Sequence, residues 1–300
     1  MKNQSNFLAY IFLLLTVTFW AGNFVVGKFA SLYEVPPFSL NFYRWFFAWL
    51  ILAPFTIPEI IKKKDYIIRN YKLFIVLGVT SITIFNSIVY YSLNFTQVIS
   101  GVLMISTIPV MIMFFSSILK IEKTNIFQVI GVILSFLGVI IIITKANFEI
   151  LKNLNFNKGD ITMVIAMLSW ALYSTLLKKQ KYEISQLSLL QVVMSFGLIF
   201  LIPIYFIEYQ LGFRITLEKP FILILSYVVL LPGLASFILW IKGISIIGAN
   251  RSGVFLHLMP IMSAIMAMVI FNEKFMFYHM LGACFIITGI LLSNKKALNA

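Results

Sequence analysis

Nine side chains stand where a chain this apolar has least reason to keep polar or indole groups: Trp20, Asn23, Arg44, Asn86, Tyr90, Trp170, Tyr173, Trp240 and His257. Trp20, Asn23 and Gly27 fall at i, i+3 and i+7, one face of a helix, and Trp170 and Tyr173 repeat the first of those spacings. Thr83, Ser87 and Tyr90 form a polar stripe with Asn86 beside it, Ser236 precedes Trp240 by one turn, and His257 lies just before Pro260. Polar groups inside an apolar span usually face the interior of a helix bundle. Aromatic faces with a few hydrogen-bonding groups suit the binding of a small amphipathic molecule rather than the breaking of a bond. Simpler readings stay open. Trp20 and Trp170 also fit as packing aromatics, Asn23 and Asn86 as bridges between helices, and His257 as either a satisfied core histidine or a proton carrier.

Arg44 lies about two turns into an apolar run. It could snorkel to the outer interface, close an outer gate, or anchor a substrate carboxylate in a bidentate fork. All ten acidic residues fall in loops or at helix ends, so proton coupling has no obvious buried acid, and His257 is the remaining candidate. No nucleotide-binding Gly-x-x-x-x-Gly-Lys-Ser/Thr run, metal-ligand cluster or nucleophile-His-acid arrangement is present, and the sole cysteine, Cys284, cannot form an intrachain disulfide. No cofactor and no metal are expected.

The elements that position these groups follow from composition. Hydrophobic residues make up 61% of the 300 positions and charged residues 11%, with a mean hydropathy of +1.00. A soluble domain carries about 25% charged residues, so lipid is the expected solvent. Ten apolar runs are long enough for a bilayer, which takes roughly 20 helical residues: 7–28, 38–58, 72–93, 98–119, 126–144, 160–178, 187–208, 221–242, 253–271 and 277–294. Continuous apolar runs favour helices over alternating barrel strands. The first run is longer than a signal-peptide core and has no Ala-x-Ala-like site after it, so it is expected to remain as a span. Fifteen Lys and Arg fall on the side of the N-terminus against seven opposite, which predicts both termini in the cytoplasm of a multi-pass inner-membrane protein. The net charge of +13 is then topological and headgroup-directed, not a nucleic-acid footprint.

The chain also repeats itself. Trp20, Ala21 and Lys28 return 150 residues later as Trp170, Ala171 and Lys178. Pro109, Met111, Glu122, Lys123, Gly131 and Gly138 return 151 residues later as Pro260, Met262, Glu273, Lys274, Gly282 and Gly289. This predicts a five-helix repeat over 7–144, a linker at 145–159 and a second repeat over 160–294. Five spans is an odd number, so the second copy enters from the opposite face and the repeats are inverted, the geometry of an alternating-access carrier. Pro109 and Pro260 are expected to kink spans 4 and 9 for gating. Glu122 and Glu273 are expected to complement the N-terminal dipoles of the helices they precede. The small-residue faces of spans 5 and 10 predict close packing and are candidates for a homodimer contact.

Taken together, Phe19-Trp20-Ala21-Gly22-Asn23-Phe24, Pro36-Pro37 followed by Tyr43-Arg44-Trp45, and the Pro, Glu-Lys, Gly arrangement of spans 4–5 and 9–10 resemble two EamA-type domains of the drug/metabolite transporter superfamily. The resemblance covers nearly the whole chain. It implies a ten-helix all-α inner-membrane carrier with inverted repeats, often an exporter of amino acids or other small metabolites. The second copy departs from the pattern, with Leu172 and Tyr173 in place of Gly22 and Asn23 and no counterpart of Arg44 in span 7. The expected function is a secondary transporter, an exporter of small amphipathic metabolites, with substrate and membrane lipid as its partners. The alternative is a membrane-embedded enzyme acting on a lipid or isoprenoid.

Overall fold

A computed structural model describes residues 2–95, 98–147, 149–152, 157–215, 218–271, 274 and 276–295. Helices dominate it and no strand occurs among these residues. The principal elements are α1 (Lys2–Leu32), α2 (Pro37–Lys62), α3 (Tyr71–Ser92), α5 (Ile126–Ile143), α6 (Lys158–Leu177), α7 (Gln186–Gln210), α8 (Lys219–Ile247) and α10 (Phe277–Ser293). Two more are interrupted. One consists of α4a (Val98–Ile105) and α4b (Ile108–Ile118); the other of α9a (Ala249–Gly253), a 3₁₀ turn at Val254–Leu258, and α9b (Met259–Phe271).

Seven helices are long and apolar enough to cross a membrane: α1, α2, α3, α5, α6, α7 and α8. Among the described residues the other three expected spans are met by shorter or divided helices. The prolines explain part of this difference. Pro109 and Pro260 do not kink continuous helices; each is the second residue of the segment after the interruption, where a missing N–H costs no helix bond.

Helix contacts are symmetric under exchange of the two halves. α1 packs on α8 and α9b, as α6 packs on α3 and α4b; α2 packs on α7, and α5 on α10. The last pair meets backbone to backbone. A Cβ on Gly131 would lie 2.5 Å from the Gly289 carbonyl oxygen, and one on Gly138 would lie 2.6 Å from that of Gly282. These small-residue faces are filled by one another within the chain, which corrects their expectation as a homodimer contact. What α5 and α10 turn outward is Ile133, Leu137, Ile287 and Leu291.

α2 and α7 cap each other. Glu208, in the last turn of α7, accepts from the Ser39 N–H and hydroxyl, both at 2.6 Å, at the start of α2. Glu59, in the last turn of α2, accepts from the Ser185 N–H at 2.7 Å and the Ser188 hydroxyl at 2.5 Å at the start of α7. Carboxylates thus satisfy otherwise orphaned helix N–H groups at both ends of the bundle. Ser39/Ser188 and Glu59/Glu208 are themselves repeat pairs, offset by 149 residues. The paired lysines do the converse job: Lys28 Nζ donates to the Leu93 carbonyl at 3.1 Å and Lys178 Nζ to that of Ser245 at 3.2 Å, near the C-terminal ends of α3 and α8.

Glu122 also corrects an expectation. The N-terminus of α5 is capped by Asn125 and Gln128 in a reciprocal pair at 2.9 and 3.0 Å. Glu122 instead accepts from the N–H groups of Ala249 and Asn250, at 3.1 and 2.9 Å, at the start of α9a. Its repeat partner Glu273 lies outside the described residues.

Substituting Gly131→Leu forces apart backbones already in contact and should destabilise the protein by about 1–3 kcal/mol or more. The check is thermal unfolding in detergent, with lipid-facing Ile133→Leu expected to unfold within error of the parent.

Candidate functional site

Two π-helical turns open the ladder of backbone hydrogen bonds at repeat-equivalent places, Val79–Phe85 in α3 and Val229–Ala235 in α8. A π turn frees carbonyls from their usual partners and often marks a working site. Side chains serve those carbonyls here. Asn86 Nδ2 donates to the Ser81 carbonyl at 2.6 Å, and at the same place in the second copy Ser236 Oγ donates to that of Leu231 at 3.0 Å. Asn41 donates to the Ile82 carbonyl at 2.9 Å. The carbonyl equivalent to Ile82 is that of Pro232, and it accepts twice: from Arg44 Nη2 at 2.9 Å and from Trp20 Nε1 at 3.1 Å.

Arg44 does not snorkel. It is 1% exposed, and Nη1 donates to Asn86 Oδ1 at 2.9 Å and to the Tyr90 hydroxyl at 2.8 Å. Tyr90 in turn donates to Asn23 Oδ1 at 3.0 Å, which joins α1, α2 and α3 in one polar chain. The guanidinium also lies 4.9 Å from the Trp45 ring centroid. Its Nε has no partner, and it makes no ion pair; among the described residues the single ion pair is Lys63–Glu183 at the surface. Desolvating a lone cation costs several kcal/mol even after relaxation. Amide, hydroxyl, carbonyl and ring partners offset part of that cost without cancelling the charge.

Beside this group the two repeats meet. Trp20 and Trp170, equivalent residues of the two copies, touch edge to face with centroids 5.0 Å apart and planes at 90°. Trp240 lies 5.3 Å from Trp20, and Tyr173 lies 5.1 Å from Trp170. A cavity of about 30 Å³ opens here, lined by Trp20, Asn23, Arg44, Asn86 and Trp170. Its remaining wall includes Ile105 and Ile108, which flank the interruption of α4, and their equivalents Leu256 and Met259 in the α9 element. That volume holds about one or two waters, so a larger molecule fits only if these helices move apart.

Five of the nine sequence-derived candidates therefore line one cavity. Tyr90 stands behind it, bonded to Arg44 and Asn23, while Tyr173 and Trp240 back the Trp170 face. His257 lies apart from the lining, fully buried in the 3₁₀ turn. Its Nε2 is 2.8 Å from the Ser106 carbonyl, a pure acceptor, so that nitrogen carries a proton. Nδ1 is 2.5 Å from the Ser135 hydroxyl. Ser106 is the repeat equivalent of His257 and sits in the interruption of α4. The histidine thus ties the two interrupted elements to each other and to α5. The π turns and the double acceptor at Pro232 were missed by the sequence reading; Pro232-Gly233 inside an apolar run was the available signal.

His257→Ala removes both buried hydrogen bonds, to the Ser106 carbonyl and the Ser135 hydroxyl. A loss of about 1–3 kcal/mol is expected, read as a lower melting temperature, with ligand-induced quenching of the central tryptophans retained.

Comparison with known proteins agrees with this architecture. The EamA-like transporter family matches twice, over residues 7–144 and 157–295. An uncharacterized transporter of Archaeoglobus fulgidus is 26% identical over 296 residues, spanning 97% of this chain and 99% of that one. The uncharacterized transporters YyaM and YetK of Bacillus subtilis are 24% and 25% identical, spanning 95% and 96% of this chain and 93% and 87% of their own lengths. A solved crystal structure 14% identical in sequence superposes with a TM-score of 0.72 over 97% of this chain and 96% of its own, a likeness of fold. With both halves matched and relatives aligned end to end, the chain belongs to the EamA-like transporter family and is a multi-pass membrane transporter.

Proposed function

We propose that the protein is a secondary carrier for small molecules that join an apolar or aromatic body to a carboxylate, amino acids being the leading class. The observation that carries this reading is Arg44: a buried guanidinium with no anion beside it and a free Nε, on the wall of a cavity faced with indole rings. A carboxylate entering there would neutralise the charge in a bidentate pair, while the body of the substrate would lie on Trp20 and Trp170. Asn23, whose Oδ1 alone is engaged, by Tyr90, is the amide left to orient it, and Asn86 holds Arg44 in place.

Alternating access is the mechanism best supported. Five-helix repeats over 7–144 and 160–294, joined by a linker at 145–159, meet at the cavity, and the interruptions of α4 and α9 flank it. Inverted repeats with broken helices beside a central site suit the rocking of one half against the other. Pro109 and Pro260 begin the segments that would swing. Both termini on the cytoplasmic side of the inner membrane, as the Lys and Arg distribution favours, and outward transport complete the reading.

The test is titration of the intrinsic tryptophan fluorescence with phenylalanine and with phenylalaninamide, followed by counterflow in proteoliposomes across a panel of amino acids. The acid should bind more tightly than the amide. Arg44→Gln should weaken the acid at least about tenfold, the equivalent of about 1.4 kcal/mol, and Arg44→Lys should not restore it because an ammonium lacks the planar fork. Equal binding of acid and amide, unchanged affinity in Arg44→Gln, or folded protein that exchanges no carboxylate in the panel would sink the proposal.

A further inference from the structure

Two cavities of nearly equal size flank the central site, one at each end of the bundle. The first, of about 700 Å³, lies where α6 passes to α7 and is lined by Lys178, Lys179, Lys181, Ser185, Gln186 and Ser245 among others. The second, of about 710 Å³, lies where α1 passes to α2 and includes Ser31, Val35, Pro36, Tyr91 and Phe95 in its wall. Subtracting 150 from Lys181, Ser185, Gln186, Ile241 and Ser245 of the first gives those five residues of the second. They are one vestibule built twice, once in each repeat, opening at opposite ends.

Shape is kept between the copies and charge is not. The first vestibule presents three lysines and no carboxylate in its wall. The second presents Glu34 and Glu208 against a single cation, Arg214. Neighbouring charges narrow the contrast without reversing it. At the lysine mouth, the Glu59 carboxylate, bonded to Ser185 and Ser188 as Glu208 is to Ser39, adds one negative charge, and Glu183 pairs with Lys63 at 3.9 Å. Lys178 gives one bond to the Ser245 carbonyl, while Lys179 and Lys181 are exposed. At the other mouth, Arg214 folds back over the Tyr209 ring and donates to that residue's carbonyl, and two neighbouring cations stand beside the carboxylates: Lys28, bonded to the Leu93 carbonyl, and Lys158, 3.8 Å over the Phe95 ring. Headgroup anchoring accounts for lysines on a convex rim; these line a concavity.

We infer that the Lys178–Lys181 vestibule is an anion-collecting entry site, and that the Glu34–Glu208 vestibule is the mouth from which the same anion is more readily released. The inference rests on the reading of the substrate as an anion held by Arg44. A cleft lined with one sign of charge focuses its field and raises the local concentration of the opposite ion. Fixed charges cannot drive net flux by themselves. They lower the half-saturating concentration at one mouth relative to the other, and the maximal rates adjust to match. On the orientation given by the Lys and Arg distribution, the lysine mouth faces the cytoplasm.

The experiment reads the potential in each mouth directly, without a substrate. In a Cys284→Ser background of the full chain, Ser245→Cys reports on the lysine vestibule and Ser31→Cys on its counterpart. Each is modified with a sulfonate-bearing and a trimethylammonium-bearing methanethiosulfonate of similar size. The ratio of anionic to cationic reaction rates should be about tenfold or more higher at position 245 than at position 31. It should fall toward that of position 31 in Lys179→Gln/Lys181→Gln, and at about 1 M salt, where screening acts within roughly 3 Å. Equal ratios at the two mouths, or a ratio untouched by the lysine substitutions, would overturn the inference. Neither reagent needs Arg44, so a failure of carboxylate binding in Arg44→Gln titrations and a failure of the vestibule show up in different experiments.

Discussion

In lipid, a carbonyl removed from its helix ladder must find another donor, because no water is there to supply one. That constraint organises the centre of this protein. The π turns of α3 and α8 free carbonyls at matching positions, and Asn41, Asn86, Ser236, Arg44 and Trp20 are the side chains that serve them. Arg44 and Trp20 therefore hold the fold and line the cavity at once. Their shared acceptor, the Pro232 carbonyl, couples the charge of the first repeat to the backbone of the second. A ligand that draws the guanidinium away from that carbonyl would loosen a contact between the halves.

The same economy runs outward from the centre. Glu59 and Glu208 cap each other's helices at opposite ends of the bundle, and Lys28 and Lys178 close the C-terminal ends of α3 and α8. The glycines of α5 and α10 bring those two helices into backbone contact. Each is a contact made twice by the duplicated sequence. The central site is where the copies differ: Arg44 has no counterpart in α7, Asn23 is matched by Tyr173, and Ser106 by His257. Divergence at the contact between two otherwise equivalent halves gives one asymmetric pocket in place of two.

Much of this was readable from the chain. Spacing alone put Trp20 with Asn23, and Trp170 with Tyr173, on helix faces, because a period of 3.6 residues is a local property. The duplication told which residues should be equivalent. It could not tell that Trp20 and Trp170 meet each other. Glu122 shows the limit plainly: its position before a helix suggested service to that helix, yet its acceptors are filled by Ala249 and Asn250, more than a hundred residues away. Glu59 and Glu208 were passed over because their offset, 149, differs by a residue or two from the register that carried the other pairs.

By itself the sequence determined the solvent, the helical class, the duplication and the short roster of polar groups that a membrane interior would penalise. Those follow from hydropathy and periodicity, which depend on neighbours a few residues apart. Tertiary structure decided the rest: that Arg44 turns inward instead of snorkelling, that His257 bridges two interrupted helices outside the cavity lining, that the small-residue faces pack within the chain, and that the prolines follow breaks instead of making kinks. Every one of these depends on which donor reaches which acceptor, or which backbone meets which, across the interface of the two repeats. Partners that lie far apart along the chain become neighbours only when the copies pack.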